Sequence, residues 1–280
     1  SFPTRRSSDL ALAGRIAFVD HAMGKTQDGS SYSYFGRARF QGPRIAAARG
    51  AEGILIRSVG THSHRFPHTG GTSFGDVTPI PAGAVSPPDA DQIRRIVERG
   101  QPVRARTTLT PRLPGRTGSG NVIADAGLRP ERTIRLIHWG AEEVGLLGAR
   151  AYAGAHAADV DAHVTGSESD FGGERVYALA TGELSRAGTA LVRELALILA
   201  PLGIALDEGG ASSGGPDLGP LNALGLPVLR LAQDGTDYFD LHHTPDDTLD
   251  KLDPEALDQN VAAYAAFLWV LANTDVDLRP

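Results

Sequence analysis

Trp139–Ala149, WGAEEVGLLGA, decides how the rest of the chain is read. It follows Arg132–His138, RTIRLIH, a β-branched and mostly apolar run of strand type, and it precedes an alanine-rich stretch able to begin a helix. In open α/β sheets the turn from a strand toward a helix is where backbone and side chains converge on a crevice. The adjacent carboxylates Glu142 and Glu143 occupy such a turn, and consecutive turn residues point in different directions. One can hold a metal while its neighbour reaches the water bound there, which is a hydrolytic arrangement. The plainer alternative is that acids in the first turn of a helix favour the positive end of its dipole. The pair alone leaves both readings open.

Outward from this stretch, 280 residues suffice for one large or two modest domains. Lys and Arg total 27 against 33 Asp and Glu, and no basic block or aromatic-interleaved basic stripe occurs, which argues against nucleic acid as a partner. There is no cysteine, so any metal must be held by His, Asp and Glu. No segment reaches the length of a membrane span; Val261–Ala272, the nearest, is too short and reads as a core helix.

Toward the N-terminus, Ser1–Leu10, SFPTRRSSDL, matches an in-frame reading of a common sequencing adapter, so residues 1–10 are expected to be non-native, with the true start and any signal segment outside this chain. Arg15–Asp20 and Gly53–Ser58 read as strands, Gly29–Gly36 as a loop, and Pro43–Arg49 as a short helix that Gly50 ends. Ser86 with Asp89 has the spacing of a capping box before a helix ended by Gly100, and Val103–Thr110 alternates as a strand. Thr61–Gly70 carries His62, His64 and His68 but no flanking acid, and its Pro and Gly residues predict a surface loop rather than a metal site. Pro111–Gly120 is the candidate domain boundary.

Beyond the central stretch, Ala187–Leu202 is an apolar-periodic helix closed by Gly203, and Leu226–Leu231 reads as a buried strand of the parallel kind. Gly209–Gly219 is a Gly-rich loop carrying Asp217. Asp253 and Pro254 cap a final helix expected to bury Leu257, Val261, Leu268 and Leu271.

WGAEEVGLLGA, ESDFG (Glu168–Gly172) and FDLHHTPDDTLDKLDPEAL (Phe239–Leu257) together resemble the di-zinc aminopeptidase family, most nearly its carboxypeptidase Q (plasma glutamate carboxypeptidase) branch. VDHAMGKTQDGS, AARGAEGILIRS, SHRFPHTG and IPAGAVS resemble the protease-associated (PA) domain inserted in that branch. The resemblance implies an α/β fold: a zinc-exopeptidase-type mixed sheet with flanking helices over residues 117–280, and a small β-rich PA domain over 11–116 that acts as a lid or governs substrate access. It also implies two zinc ions, dipeptide or short-peptide substrates, a periplasmic or secreted location, and no bar to a homodimer. Carried over to this chain, Glu142 is the general base, Glu143 and His243 bind one zinc, Asp170 binds the other, and Asp247 is the expected outer partner of His243.

One departure is expected to matter. Relatives follow the NVIAD strand with a strand ending in His-x-Asp, then a Gly-Ala-x-Asp-Asp-Gly loop and a helix, and these supply the remaining histidine ligand and the bridging aspartate. Here Asp125 runs almost directly into AGLRPERTIRLIHW, and neither motif occurs. The peptidase half is therefore expected to lack a segment after about residue 125 and to be impaired, with one zinc or none. Loss in assembly is favoured over natural loss, because the short link could not make a parallel crossover, which needs about a dozen residues. The competing reading is a catalytically inactive ectodomain that keeps the fold as a binding surface; retention of Glu142, Glu143, Asp170 and His243 together favours the enzyme.

Overall fold

A computed structural model describes residues 12–100, 103–110, 112, 115–125, 130–209 and 214–280. Residues 1–10, the Ala126–Arg129 junction and part of the Gly209–Gly219 loop lie outside the described residues. The elements run β1 (Ile16–Val19), α1 (Ser30–Phe35), α2 (Arg37–Phe40), α3 (Gly42–Ala48), β2 (Gly53–Arg57), β3 (Ala82–Val85) and α4 (Pro87–Glu98). They continue with β4 (Val122–Asp125), β5 (Arg135–His138), α5 (Leu147–Ala155), β6 (Val176–Thr181), α6 (Arg186–Leu199) and β7 (Ala205–Glu208). The last are α7 (Gly219–Asn222), β8 (Leu229–Gln233), α8 (Tyr238–Leu241) and α9 (Pro254–Ala272). Two compact units result: residues 1–115 with 235–249, and residues 116–234 with 250–280.

In the first unit β1, β2 and β3 form a parallel sheet in that order, with Ile16 opposite Gly53 and Ile54 opposite Ala82. The Ser86 hydroxyl accepts from Asp89 N–H at the start of α4, as the capping spacing predicts. Gly29–Gly36 is not a loop but holds α1, a helix without apolar periodicity that rests on tertiary contact: the Tyr32 ring stacks on Phe239 at 4.9 Å. Val103–Thr110 makes no strand: its residues are exposed, and among the described residues no strand pairs with it. The unit is thus less β-rich than expected among the described residues. Gly235–Leu249 docks here through Gly235 N–H to Gln27 O (2.8 Å), Thr61 N–H to Phe239 O (3.1 Å) and Lys25 Nζ to Asp240 (2.6 Å).

In the second unit β4 and β5 pair antiparallel, Val122 opposite His138 and Asp125 opposite Arg135. An antiparallel pair needs no crossover, which removes the objection drawn from a parallel connection. A separate sheet has the order β7-β6-β8, with β7 parallel and β8 antiparallel to β6. The parallel pairing expected for β8 is therefore corrected; its apolar run reflects burial on both faces, which either ladder direction allows. Leu179, Leu195, Leu199, Leu229, Leu231, Phe267 and Leu278 form the core between this sheet, α6 and α9.

Helix α9 is capped by Asp253 as expected, its carboxylate accepting from Glu255 N–H at 3.0 Å. Its buried face is Ala256, Gln259, Asn260, Ala263, Phe267 and, as expected, Leu271, with Leu268 half-buried against the core, while Leu257 and Val261 are 43% and 62% exposed. Apolar residues on every side hide the true face from periodicity. Two buried amides mark it: Gln259 bonds both the N–H and the C=O of Val176, and Asn260 donates to Glu174 O and to Ala256 O.

Candidate functional site

Glu142 and Glu143 lie in the connection from β5 to α5, and no acid falls in the first turn of that helix. The helix-dipole explanation of the pair is therefore not the one the local geometry favours. Ala141 and Leu146 adopt φ of 58° and 57°, and Glu142 O accepts from Gly145 N–H and Leu146 N–H at 2.9 Å each. Left-handed conformations at two non-glycine residues mark a constrained turn of the kind found at sites that hold side chains in fixed directions. Glu142 is half-buried and Glu143 is exposed.

Asp170 belongs to an acidic group in the same unit. The Glu168 carboxylate accepts from Asp217 N–H at 3.0 Å and Leu218 N–H at 3.1 Å, tying the Gly214–Leu218 loop to the Glu168–Asp170 stretch. Gly215, at φ 122°, lets the loop approach: a Cβ there would stand 2.3 Å from Glu168 Oε2. Burial pushes the Glu168 carboxyl up to about 8, and the negative charges of Asp170 and Asp217 add to it. Asp217, 5% exposed, is raised to about 6 by burial and then by Asp170, and its Oδ1 has no hydrogen-bond partner. Glu168 was missed as a candidate on sequence alone. The available signal was its period-two spacing from Asp170.

His243 sits in the first unit, after α8, at φ 61°. Its Nδ1 donates to Thr69 O at 3.1 Å, Thr69 N–H donates back to His243 O at 3.3 Å, and its ring stacks on His242 at 3.7 Å. The outer partner of Nδ1 is thus a backbone carbonyl, where Asp247 was expected. The histidine loop lies at the surface as expected, with Ser63–Pro67 exposed, but two of its rings turn inward: His62 is 8% and His68 1% exposed, and His68 Nδ1 donates to His242 O. Burial pushes His68 down to about 4 and His242 to about 3.

Glu142, Glu143 and Asp170 are therefore placed in one unit and His243 in the other. Among the described residues no group of three or more His, Asp or Glu side chains is placed to hold a metal. Catalytic zinc ordinarily takes three protein ligands. The donors described here do not fit that requirement as a set.

Residues 120–268 match the model of peptidase family M28. Carboxypeptidase Q of Mus musculus is 28% identical over 284 residues, 85% of this chain and 60% of that protein. Carboxypeptidase Q of Homo sapiens is 28% identical over 294 residues, 88% of this chain and 61% of that protein. The chain thus spans about 60% of the length of these curated relatives. Among solved structures, a peptidase M28 precursor from Shewanella amazonensis SB2B is 37% identical with a TM-score of 0.86, covering 96% of this chain and 71% of that one.

Proposed function

This chain belongs to peptidase family M28, and we propose that it derives from a zinc-dependent exopeptidase of dipeptides or short peptides whose catalytic centre is impaired in the chain as it stands. In this reading residues 117–280 are the peptidase domain, residues 11–116 are a PA domain governing access, and the protein acts outside the cytoplasm. Glu142 is the general base that takes a proton from an attacking water and returns it to the leaving amine, a reading supported by the constrained turn that carries it. Glu143, Asp170 and His243 keep the ligand positions that this chain retains. Zinc in the intact relatives would polarise the scissile carbonyl and acidify the water.

The observation that carries the reading is the direct pairing of β4 with β5. Between Asp125 and Arg135 there is no room for a further strand and the acidic loop that would supply the second histidine and the bridging carboxylate. The apolar residues Ile123 (46% exposed), Leu136 (59%), Val144 (72%) and Leu147 (53%) lie open along this part of the second unit, as expected where a covering strand and helix are missing.

Grafting the corresponding segment of the Shewanella relative after Asp125 tests this. The repaired chain should gain tightly held zinc and dipeptide hydrolysis; Glu142→Gln in it should keep the metal and lose turnover, whereas Glu143→Gln should lose metal as well. A repaired chain that folds but neither binds zinc nor cleaves peptides would instead favour the inactive binding ectodomain.

A further inference from the structure

The first unit contains a buried cation with no carboxylate beside it. Arg39, in α2, is 6% exposed, and no acid pairs with its guanidinium among the described residues. Burying an unpaired charge is costly unless its donors are satisfied. Here Nη1 donates to Thr69 O at 2.8 Å, Nη2 donates to the Tyr32 hydroxyl, and the guanidinium carbon lies 4.7 Å from the Phe40 ring centre and 5.4 Å from that of Tyr32. Gly70 is required for this: at φ 141°, a Cβ on it would stand 2.4 Å from the guanidinium carbon. With Nε buried and without a hydrogen-bond partner, the guanidinium has the Tyr32 hydroxyl and one backbone oxygen, that of Thr69, as its acceptors among the described residues.

That oxygen has a second donor, His243 Nδ1 at 3.1 Å. A carbonyl oxygen can only accept, so the hydrogen bond requires the proton on Nδ1 and leaves Nε2 as the lone-pair nitrogen in the neutral ring. The return bond from Thr69 N–H to His243 O, the left-handed backbone of His243 and its stacking on His242 fix which way the ring edge faces. One residue earlier the bond runs the other way, from His68 Nδ1 to His242 O. His68–Thr69 and His242–His243 are thereby bonded to each other as two dipeptides, and Arg39 is the side chain that pins the first of them from behind.

We propose that Arg39 is a positioning residue: by holding the Thr69 carbonyl it fixes the Nδ1–H tautomer and the orientation of the His243 imidazole, presenting Nε2 away from the histidine loop. The role deepens the part given to His243 above, but it concerns the chain's own residues and is decided without metal or turnover. The histidine loop of the first unit then contributes to the site through its backbone, and its three histidines are not themselves ligands.

Nitrogen-15 NMR of the imidazole groups in the metal-free 280-residue chain tests this, with His243 assigned through His243→Gln. Wild type should show Nδ1–H; Arg39→Met should lose that preference toward the Nε2–H form an unconstrained histidine favours, and Arg39→Lys should restore it at least in part. Cross-hydrogen-bond couplings from the Thr69 carbonyl carbon to Arg39 Nη1 and His243 Nδ1 in wild type provide the answer if Arg39→Met does not fold. Nε2–H in wild type, an unchanged tautomer in a folded Arg39→Met, or the absence of either coupling would overturn the proposal. Loss of peptidase function in the repaired chain with the tautomer intact would fault the ligand reading and leave this one standing.

Discussion

At the residue scale, His68 shows how far burial can be from what its neighbours in sequence suggest. Pro67 and the flanking glycines spell a surface loop, yet the ring is 1% exposed because it packs under a segment 174 residues away. No local pattern encodes that contact. Burial holds the folded pKa of His68 at about 4, against about 6.5 for an unconstrained histidine. A lowered folded pKa means that stability is fully present above pH 6.5 and is lost as pH falls toward 4, because the unfolded chain takes up the proton first. His242, pushed to about 3, acts in the same direction. Denaturant unfolding of the first unit should therefore weaken between pH 7 and 4, with His68 contributing up to about 3 kcal/mol, and His68→Asn should flatten the slope. A pH-independent midpoint in wild type would show that the ring is not buried as described. In the second unit, Gly215→Ala should destabilise by roughly 1–3 kcal/mol, combining left-handed strain with the collision on Glu168; an unchanged midpoint would rule out that loop geometry.

At the element scale, what depends on neighbours in sequence was legible. The caps of α4 and α9, the glycine stops at Gly50, Gly100 and Gly203, and the strands β1, β2 and β4 all follow from residues within a few positions. What depends on a partner element was not: α1 needs Phe239, Val103–Thr110 pairs with no strand among the described residues, and β8 runs antiparallel to β6. Helix α9 is the clearest case, since its apolar surface is nearly continuous and Gln259 and Asn260 look like its solvent side. Gln259→Leu should cost about 2–4 kcal/mol, because the Val176 N–H and C=O are left buried without partners. Leu257→Ala on the open side should cost well under about 1 kcal/mol. Chemical denaturation of the two variants checks this, and a reversed order would mean that the helix is rotated from the face described.

At the scale of the whole molecule, the motifs identified the family and put Glu142 and Glu143 on a strand-to-helix connection, while the pairing of β4 with β5 depends on both strands at once and no single motif marks it. The β4–β5 hairpin stands apart from the β7-β6-β8 sheet and exposes Ile123 and Leu136, so its amides should exchange with solvent far faster than those of β6 and β8. Equal protection across both would mean that the hairpin is covered and the second unit complete. The proposed impairment turns on the donors: in that reading Glu142, Glu143 and Asp170 act without a bridging carboxylate, and His243 is preset by Thr69. Metal analysis of the purified 280-residue chain after equilibration with zinc, alongside a dipeptide hydrolysis assay on the same sample, tests this most directly. The account predicts at most one weakly held zinc per chain and no measurable hydrolysis; two tightly held zinc ions with ordinary turnover would contradict it.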